Sequence, residues 1–363
     1  MKRNIKKFLL PVVAVVVLSS AGCDDWTKTE RLDINYSSLE EQNPELYRRY
    51  LEALKVYKAD EHKIVFISVD NTISAPSQRN EHLTTMPDSV DFICLINPDN
   101  LHPTLAGEFT KVREKGTRVI YNIDYNAIEK LWEKHLEEEA DKPEELAEDD
   151  GEPTPEQQEL RFHEFCKEQT INQLNLCAKY GYDGVQVNYT GRTPHAMQEA
   201  EKARYAARQD VFLSNVKAWH ESNSGKVLVF QGNPQNLIDK SVLDGCDYIV
   251  IPALDATSSD ELSYTVLMAA AEGVPTDRFI IGVTIPSAID QSNENGYFAG
   301  YEADGKTRAH AVKGAALWIL NTVPNYVKAG ISVADAQYDY YNLTLVYKNI
   351  REAIDIMNPS PKN

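Results

Sequence analysis

The stretch YGYDGVQVNYTG, residues 180–191, carries polar side chains at every second position. In a β-strand alternate residues share a face. Gln186, Asn188 and Thr190 therefore point one way, and Val185, Val187 and Tyr189 the other. The valines suit a surface covered by helices, which turns the polar set toward an interior. Two amides and a hydroxyl in a row can hydrogen-bond a polar ligand, but none is an acid. A general acid works best with a pKa near the working pH, and an alkyl alcohol lies far above that range. Carboxylates that might act instead stand at the ends of other apolar runs: Asp70, Asp124 and Asp255. Asn97, Tyr125, Gln231 and Asn233 occupy comparable places. Each is either a ligand contact or a cap for the following helix.

The elements that must position these residues are read from the apolar runs. They are KIVFISVD (63–70), DFICLIN (91–97), RVIYNID (118–124), DGVQVNY (183–189), KVLVFQG (226–232), YIVIPAL (248–254), RFIIGVTI (278–285) and AALWILN (315–321). Each has strand length, and several are bounded by Gly, Asp or Asn. Continuous apolar strands suit a parallel sheet covered by helices. The intervening segments read as helices, two of them closed by Gly116 and Gly181 at C-cap positions. Eight strand–helix units predict an α/β fold, a single-domain (β/α)₈ TIM barrel, over residues 37–358. An open doubly wound sheet would carry a glycine-rich phosphate loop after its first strand, and VDNTISAPS has none. Residues 37–60 predict a helix before the first strand, placed to cross the bottom of the barrel. Residues 137–159, dense in acid with one lysine and no aromatic, predict a solvated insertion after strand three.

The first residues read as an export signal. MKRNIKK is basic, FLLPVVAVVVL is apolar, and SSAGC is small. The apolar run is shorter than the ~20 residues a membrane-spanning helix needs. The pattern resembles a bacterial lipoprotein signal over residues 1–22, with Cys23 lipidated and residues 23–36 as a tether. The membrane would then be met through the lipid anchor alone. The formal net charge is −18, and loss of Lys2, Arg3, Lys6 and Lys7 with the leader makes the chain more acidic still. Such a surface repels phosphates, so a nucleic-acid partner is excluded. Cys94, Cys166, Cys177 and Cys246 form no CxxC, and the eight histidines no HxH or HExxH. No metal or other cofactor is expected; free buried thiols are the default, and pairing of some of them is the alternative in an exported protein.

Placed on strand four of eight, DGVQVNYT resembles the DGxDxDxE motif of family 18 glycoside hydrolases, the chitinases and endo-β-N-acetylglucosaminidases. Asp183 and Gly184 match its start. Gln186 and Asn188 stand at its two later aspartates, and Thr190 at its glutamate. The resemblance implies that the glutamate protonates the leaving oxygen while the neighbouring aspartate orients the substrate's acetamido group. Substrate assistance of this kind departs from the usual two-carboxylate scheme. With that acid gone, no catalytic residue is expected at the motif. By the same resemblance, Trp318 on the expected eighth strand would floor a sugar site, with core packing as the other reading of an indole. The strand-six tyrosine of the family is absent, with Pro252 and Ala253 in its region. Tyr297 and Tyr301, on the loop after strand seven, are candidate wall aromatics. The lipoprotein start, Asp24 and Asp25 after Cys23, and the altered motif look like a group of Bacteroides cell-surface lipoproteins encoded with glycan-uptake systems. The resemblance implies an outer-membrane, surface-exposed, catalytically inactive barrel. It would bind an N-acetylglucosamine-containing glycan such as an N-glycan and serve a transporter or hydrolase neighbour. The alternatives are a glycosidase using displaced acids, whose carboxylates would stand ~5–5.5 Å or ~6.5–9.5 Å apart, and a structural partner in an uptake complex with no saccharide affinity.

Overall fold

A computed structural model of the chain describes residues 38–72, 75–141, 153–290 and 292–359. The expected leader, Cys23 and the tether lie outside the described residues. Among the described residues no helix is long and apolar enough to cross a membrane.

The chain divides at Tyr50 into two compact units. In the first, Ser38 and Glu41 cap each other at the start of the helix Leu39–Gln42, backbone to side chain, at 3.0 and 3.2 Å. Asn43 Oδ1 accepts from Leu46 N at 3.0 Å and opens the helix Pro44–Ala59.

The second unit, from Leu51, holds a closed barrel of eight parallel strands. They are β1 (Ile64–Val69), β2 (Phe92–Leu95), β3 (Arg118–Asp124), β4 (Gly184–Tyr189), β5 (Val227–Gly232), β6 (Tyr248–Pro252), β7 (Phe279–Thr284) and β10 (Lys328–Ala334). β10 closes the ring between β7 and β1. β8 (Tyr297–Tyr301) and β9 (Arg308–His310) form a separate antiparallel hairpin in the connection after β7. Below the mouth the interior is packed by Phe66, Phe92, Cys94, Ile120, Val227, Val229, Val250 and Ile280. Phe66 stacks on Phe92 at 4.3 Å. The outward-facing residues, Val185, Val187 and Tyr189 among them, join the larger core beneath the helices. The alternation expected of strand four is observed as far as Tyr189, where the strand ends; Thr190, expected on the inward face, lies beyond it and away from the mouth cavity.

Two glycines let the strands approach. A Cβ on Gly184 would stand 2.1 Å from Val227 O, and one on Gly330 would stand 1.9 Å from Ile64 O. Gly184 of the DG pair is thus a packing requirement of the β4–β5 seam. Asp183 is structural too: its Oδ2 accepts from Val119 N at 2.8 Å, and Arg113 pairs with it at the foot of β3. Lys58 extends from the helix Pro44–Ala59 to Val90 O and Thr117 Oγ1, at 2.5 and 2.7 Å, below β2 and β3. Burial lowers its pKa to about 8.

Seven expected strands stand within two residues of their observed bounds. The eighth does not. AALWILN is part of the helix Ala311–Leu320, and the eighth strand is KAGISVA, residues 328–334. Ala311, Val312, Ala315, Ala316 and Ile319 are buried, a one-sided helical spacing that the apolar run conceals unless its N-terminal flank is included. The acidic segment is also more ordered at its ends than expected. Residues 137–140 finish the helix Tyr125–Ala140, and Thr154 caps the helix Pro155–Tyr180 in a reciprocal box with Gln157. Residues 142–152 lie outside the described residues. Cys94, Cys166, Cys177 and Cys246 are free and buried.

Candidate functional site

At the carboxyl ends of the strands the inward-facing residues become polar and leave a cavity of about 150 Å³. Ser68 and Asp70 come from β1 and its end, Asn122 from β3, Gln186 from β4, Gln231 from β5, and Ser332, Ala334 and Asp335 from β10 and its end. Val250, Pro252 and Leu254 from the sixth strand and Ile96 after the second give it apolar walls. Among the described residues no aromatic side chain lines it, and no lysine, arginine or histidine.

The amides form a band across three strands. Asn122 and Gln186 are register partners, and Gln186 Nε2 donates to Gln231 Oε1 at 2.7 Å. Gln186 is 2% exposed, yet its Oε1 has no partner; neither has Asn122 Oδ1. Buried acceptors are normally satisfied; both residues line the cavity, each with an acceptor in reserve.

Two carboxylates stand at the seam where β10 meets β1. Asp70 Oδ1 accepts from Thr72 N at 2.8 Å and Asn97 Nδ2 at 3.0 Å. Asp335 Oδ2 accepts from Thr284 Oγ1 at 3.2 Å. Asp335 holds a left-handed backbone, φ 55° and ψ 32°, which non-glycine residues seldom adopt. Partial burial raises its carboxyl above the usual range; the Thr284 hydrogen bond opposes the rise and the charge of Asp70 adds to it.

Of the expected site residues, the structure brings Gln186, Gln231 and Asp70 together. Asn188 lies one pleat above Gln186, in register with Asp124 and Gln231. Asp124 caps the next helix through Asn126 N at 2.8 Å and borders an adjoining groove with Asn97. Asn233 Nδ2 donates to Thr190 O at 3.2 Å, tying two loops. Thr190 is exposed and borders a separate hollow that contains Arg192, Arg204 and Arg208. Asp255 is exposed and outside the cavity lining. Tyr125 is buried against Tyr189 and Phe212, at 4.9 and 5.2 Å, and acts in packing. Tyr297 lies on β8 beneath the Arg308 guanidinium, 4.0 Å from its ring centre, and Tyr301 is exposed on the same hairpin.

Trp318 is displaced with its strand. It sits on the flanking helix, 4% exposed, with Nε1 donating to Ser263 Oγ at 2.8 Å. Lys328 Nζ lies 3.7 Å from the ring centre and donates to Trp318 O at the start of β10, the end away from the mouth. The packing reading of this indole is the observed one.

Asn122, Ser68, Ser332 and Asp335 were not anticipated. Counting back by two from Asp124 reaches Asn122, and from Asp70 reaches Ser68. Ser332 and Asp335 required the correct eighth strand.

A closed parallel barrel with a polar, acid-bearing mouth at the carboxyl ends of its strands is the architecture of barrel enzymes and their binding relatives. The model of Glycoside hydrolase family 18, BT1044-like, matches residues 27–356, and the chain belongs to that family. None of the curated proteins compared with the chain matches it. Among solved structures, it is similar to a selenomethionine-labelled glutamate-to-glutamine variant of BT1044, at 18% identity and TM-score 0.62, covering 89% of this chain and 96% of that one. It is also similar to the endo-β-N-acetylglucosaminidase of Cordyceps militaris in apo form, at 14% identity and TM-score 0.59, covering 86% and 96%. A double variant of that enzyme, in complex with fucosyl-N-acetylglucosamine-Asn, aligns at 13% identity and TM-score 0.55, covering 85% and 95%. At these identities the likeness is one of fold.

Proposed function

We propose that the protein binds an N-acetylglucosamine-containing glycan, an N-glycan foremost, at the barrel mouth without hydrolysing it. The observation that carries this reading is strand four: Gln186, Asn188 and Thr190 stand where the family motif has two aspartates and the glutamate that serves as acid. Loss of acid catalysis alone costs about 10²–10⁴ in rate, whereas the substituted side chains keep their hydrogen-bonding capacity. The orphaned oxygens of Asn122 and Gln186 support a site that awaits donors, and sugar hydroxyls and amide N–H groups are donors. In this reading the chain is a lipoprotein anchored through Cys23 at the outer cell surface. It passes glycan to a transporter or hydrolase neighbour.

The competing reading is cleavage by displaced acids. Of the three carboxylates considered from the sequence, only Asp70 lines the cavity, where Asp335 joins it. One incubation separates the two readings. The purified chain is mixed with an N-glycosylated protein, glycans are read by mass spectrometry, and retention is measured on the same sample. Intact glycan with retention is expected. Released glycan would assign catalysis to another acid, Asp70 and Asp335 first. Failure of both retention and release would leave the structural-partner role. Lipidation is tested separately: labelled fatty acid should enter the full-length protein and not its Cys23→Ala variant.

A further inference from the structure

The mouth cavity has a charge and hydrogen-bonding character more specific than a general sugar site. Asp70 and Asp335 share it, and among the described residues no lysine, arginine or histidine lines it. Their hydrogen bonds come from uncharged donors: Thr72 and Asn97 for Asp70, Thr284 for Asp335. The same lining includes two residues with acceptors that have no partner, Gln186 Oε1 and Asn122 Oδ1, the first on a side chain 2% exposed. The remaining polar side chains are Gln231 and two serines, Ser68 and Ser332. The charge of Asp70 disfavours ionisation of Asp335, and buried acceptors left unpaired are costly. One group answers both demands, a cation that is also a multiple hydrogen-bond donor. A primary ammonium offers three donors and one positive charge. A metal ion is less well served, since the described residues contain no group of three or more His, Cys, Asp or Glu able to hold one.

We propose that the barrel mouth takes a sugar ring bearing a free amino group, held as an ammonium between Asp70 and Asp335, with the ring's hydroxyl donors meeting Gln186 Oε1 and Asn122 Oδ1. The proposal rests on the reading of the mouth as a glycan site and narrows it: the innermost ring is an N-deacetylated amino sugar within a chain that also contains N-acetylglucosamine, a ligand that takes the place of the N-glycan named above. An acetamido group in that place would carry no charge for the two carboxylates. The left-handed backbone of Asp335, φ 55°, sets its carboxyl at the β10–β1 seam. Glycine accommodates that conformation without a side chain, which provides a carboxylate-free variant with the same local backbone.

The test is calorimetric titration of the purified chain with the β-1,4-linked glucosamine tetrasaccharide and with its fully N-acetylated counterpart. The pH is chosen to keep the amine protonated. The expected result is at least about tenfold tighter binding of the glucosamine form, a 1.4 kcal/mol difference, weakened by added salt. Asp335→Asn and Asp335→Gly should each abolish the preference. Circular dichroism identifies which variants are folded; a preference that persists in either folded variant overturns the proposal. Equal or tighter binding of the acetylated tetrasaccharide by the unaltered chain overturns it as well, while leaving the glycan-binding reading intact. If neither tetrasaccharide binds and the N-glycosylated protein is not retained, the glycan-binding reading itself fails.

Discussion

Gln186 and Gln231 face each other across the β4–β5 seam, with Gln186 Nε2 donating to Gln231 Oε1 at 2.7 Å and the Gln186 carbonyl oxygen left unpaired. The bond makes Nε2 the paired end of the Gln186 amide and Oε1 the unpaired one. Replacing Gln186 by leucine removes the orphaned acceptor and a buried polar group together. It also leaves Gln231 Oε1 without its donor, and an acceptor stripped of its partner costs about 1–3 kcal/mol. Gln186→Leu should therefore unfold in urea with a loss of about 1–3 kcal/mol, while glycan retention per folded molecule falls about tenfold. Unchanged retention would remove the amide band from the binding site.

Restoring acids to strand four should not restore hydrolysis. Thr190 borders the hollow that holds Arg192 and Arg204, separate from the mouth cavity. A glutamate there would meet guanidinium groups, which favour the ionised carboxylate. A general acid must be protonated at the working pH. The Asn188→Asp, Thr190→Glu double variant is expected to bind and to release no glycan by mass spectrometry. Detectable release would show that the loop after β4 can bring residue 190 over the mouth.

Trp318→Ala should affect the fold and spare the site. The indole is buried, bonded to Ser263 and stacked over by Lys328. Truncating a buried tryptophan costs about 3–5 kcal/mol, which a denaturant midpoint resolves. Retention per folded molecule should be unchanged. A loss of retention at full stability would contradict the helical placement.

How far the sequence disclosed this site depends on which strand is considered. On β4 the alternation of polar and apolar residues is enough to turn Gln186 and Asn188 inward, because a period of two has one reading once the outer face is known. The eighth strand was missed because an apolar run does not declare its period: AALWILN fits a buried strand and a buried helix equally well. KAGISVA alternates small inward residues, Gly330, Ser332 and Ala334, with only two β-branched ones, Ile331 and Val333, and so reads as less apolar than AALWILN. That error moved Trp318 to the mouth and hid Asp335. The role of Gly184 was equally hidden, since a demand for close approach between β4 and β5 belongs to tertiary structure.

A pH dependence of stability follows from His62. Its Nε2 meets Asp91 Oδ1 at 3.0 Å and its Nδ1 meets Asp60 O at 2.8 Å. The bond to Asp91 raises the imidazole pKa above its ordinary 6.5, against the opposing effect of burial. A group whose folded pKa exceeds its unfolded one contributes stability that is complete below the unfolded value and is lost as pH climbs through the folded value. The melting temperature should accordingly fall as pH rises from below 6.5 through the raised value. His62→Gln should flatten that part of the profile. An identical slope in the variant would assign the dependence to other groups.

The four cysteines have a consequence for how the barrel can be watched. Burial drives their thiols upward, Cys246 to about 12 and Cys166 to about 11, with Cys94 and Cys177 shifted in the same direction. Only the thiolate reacts readily, so at neutral pH a labelling reagent is met when the surrounding structure opens. Cys94 lies inside the ring of strands, whereas Cys166 and Cys177 lie on the helix Pro155–Tyr180 that covers it. The chain thus contains its own clocks at two depths, one timing release of the outer helical coat and the other timing rupture of the barrel, with no engineered probe.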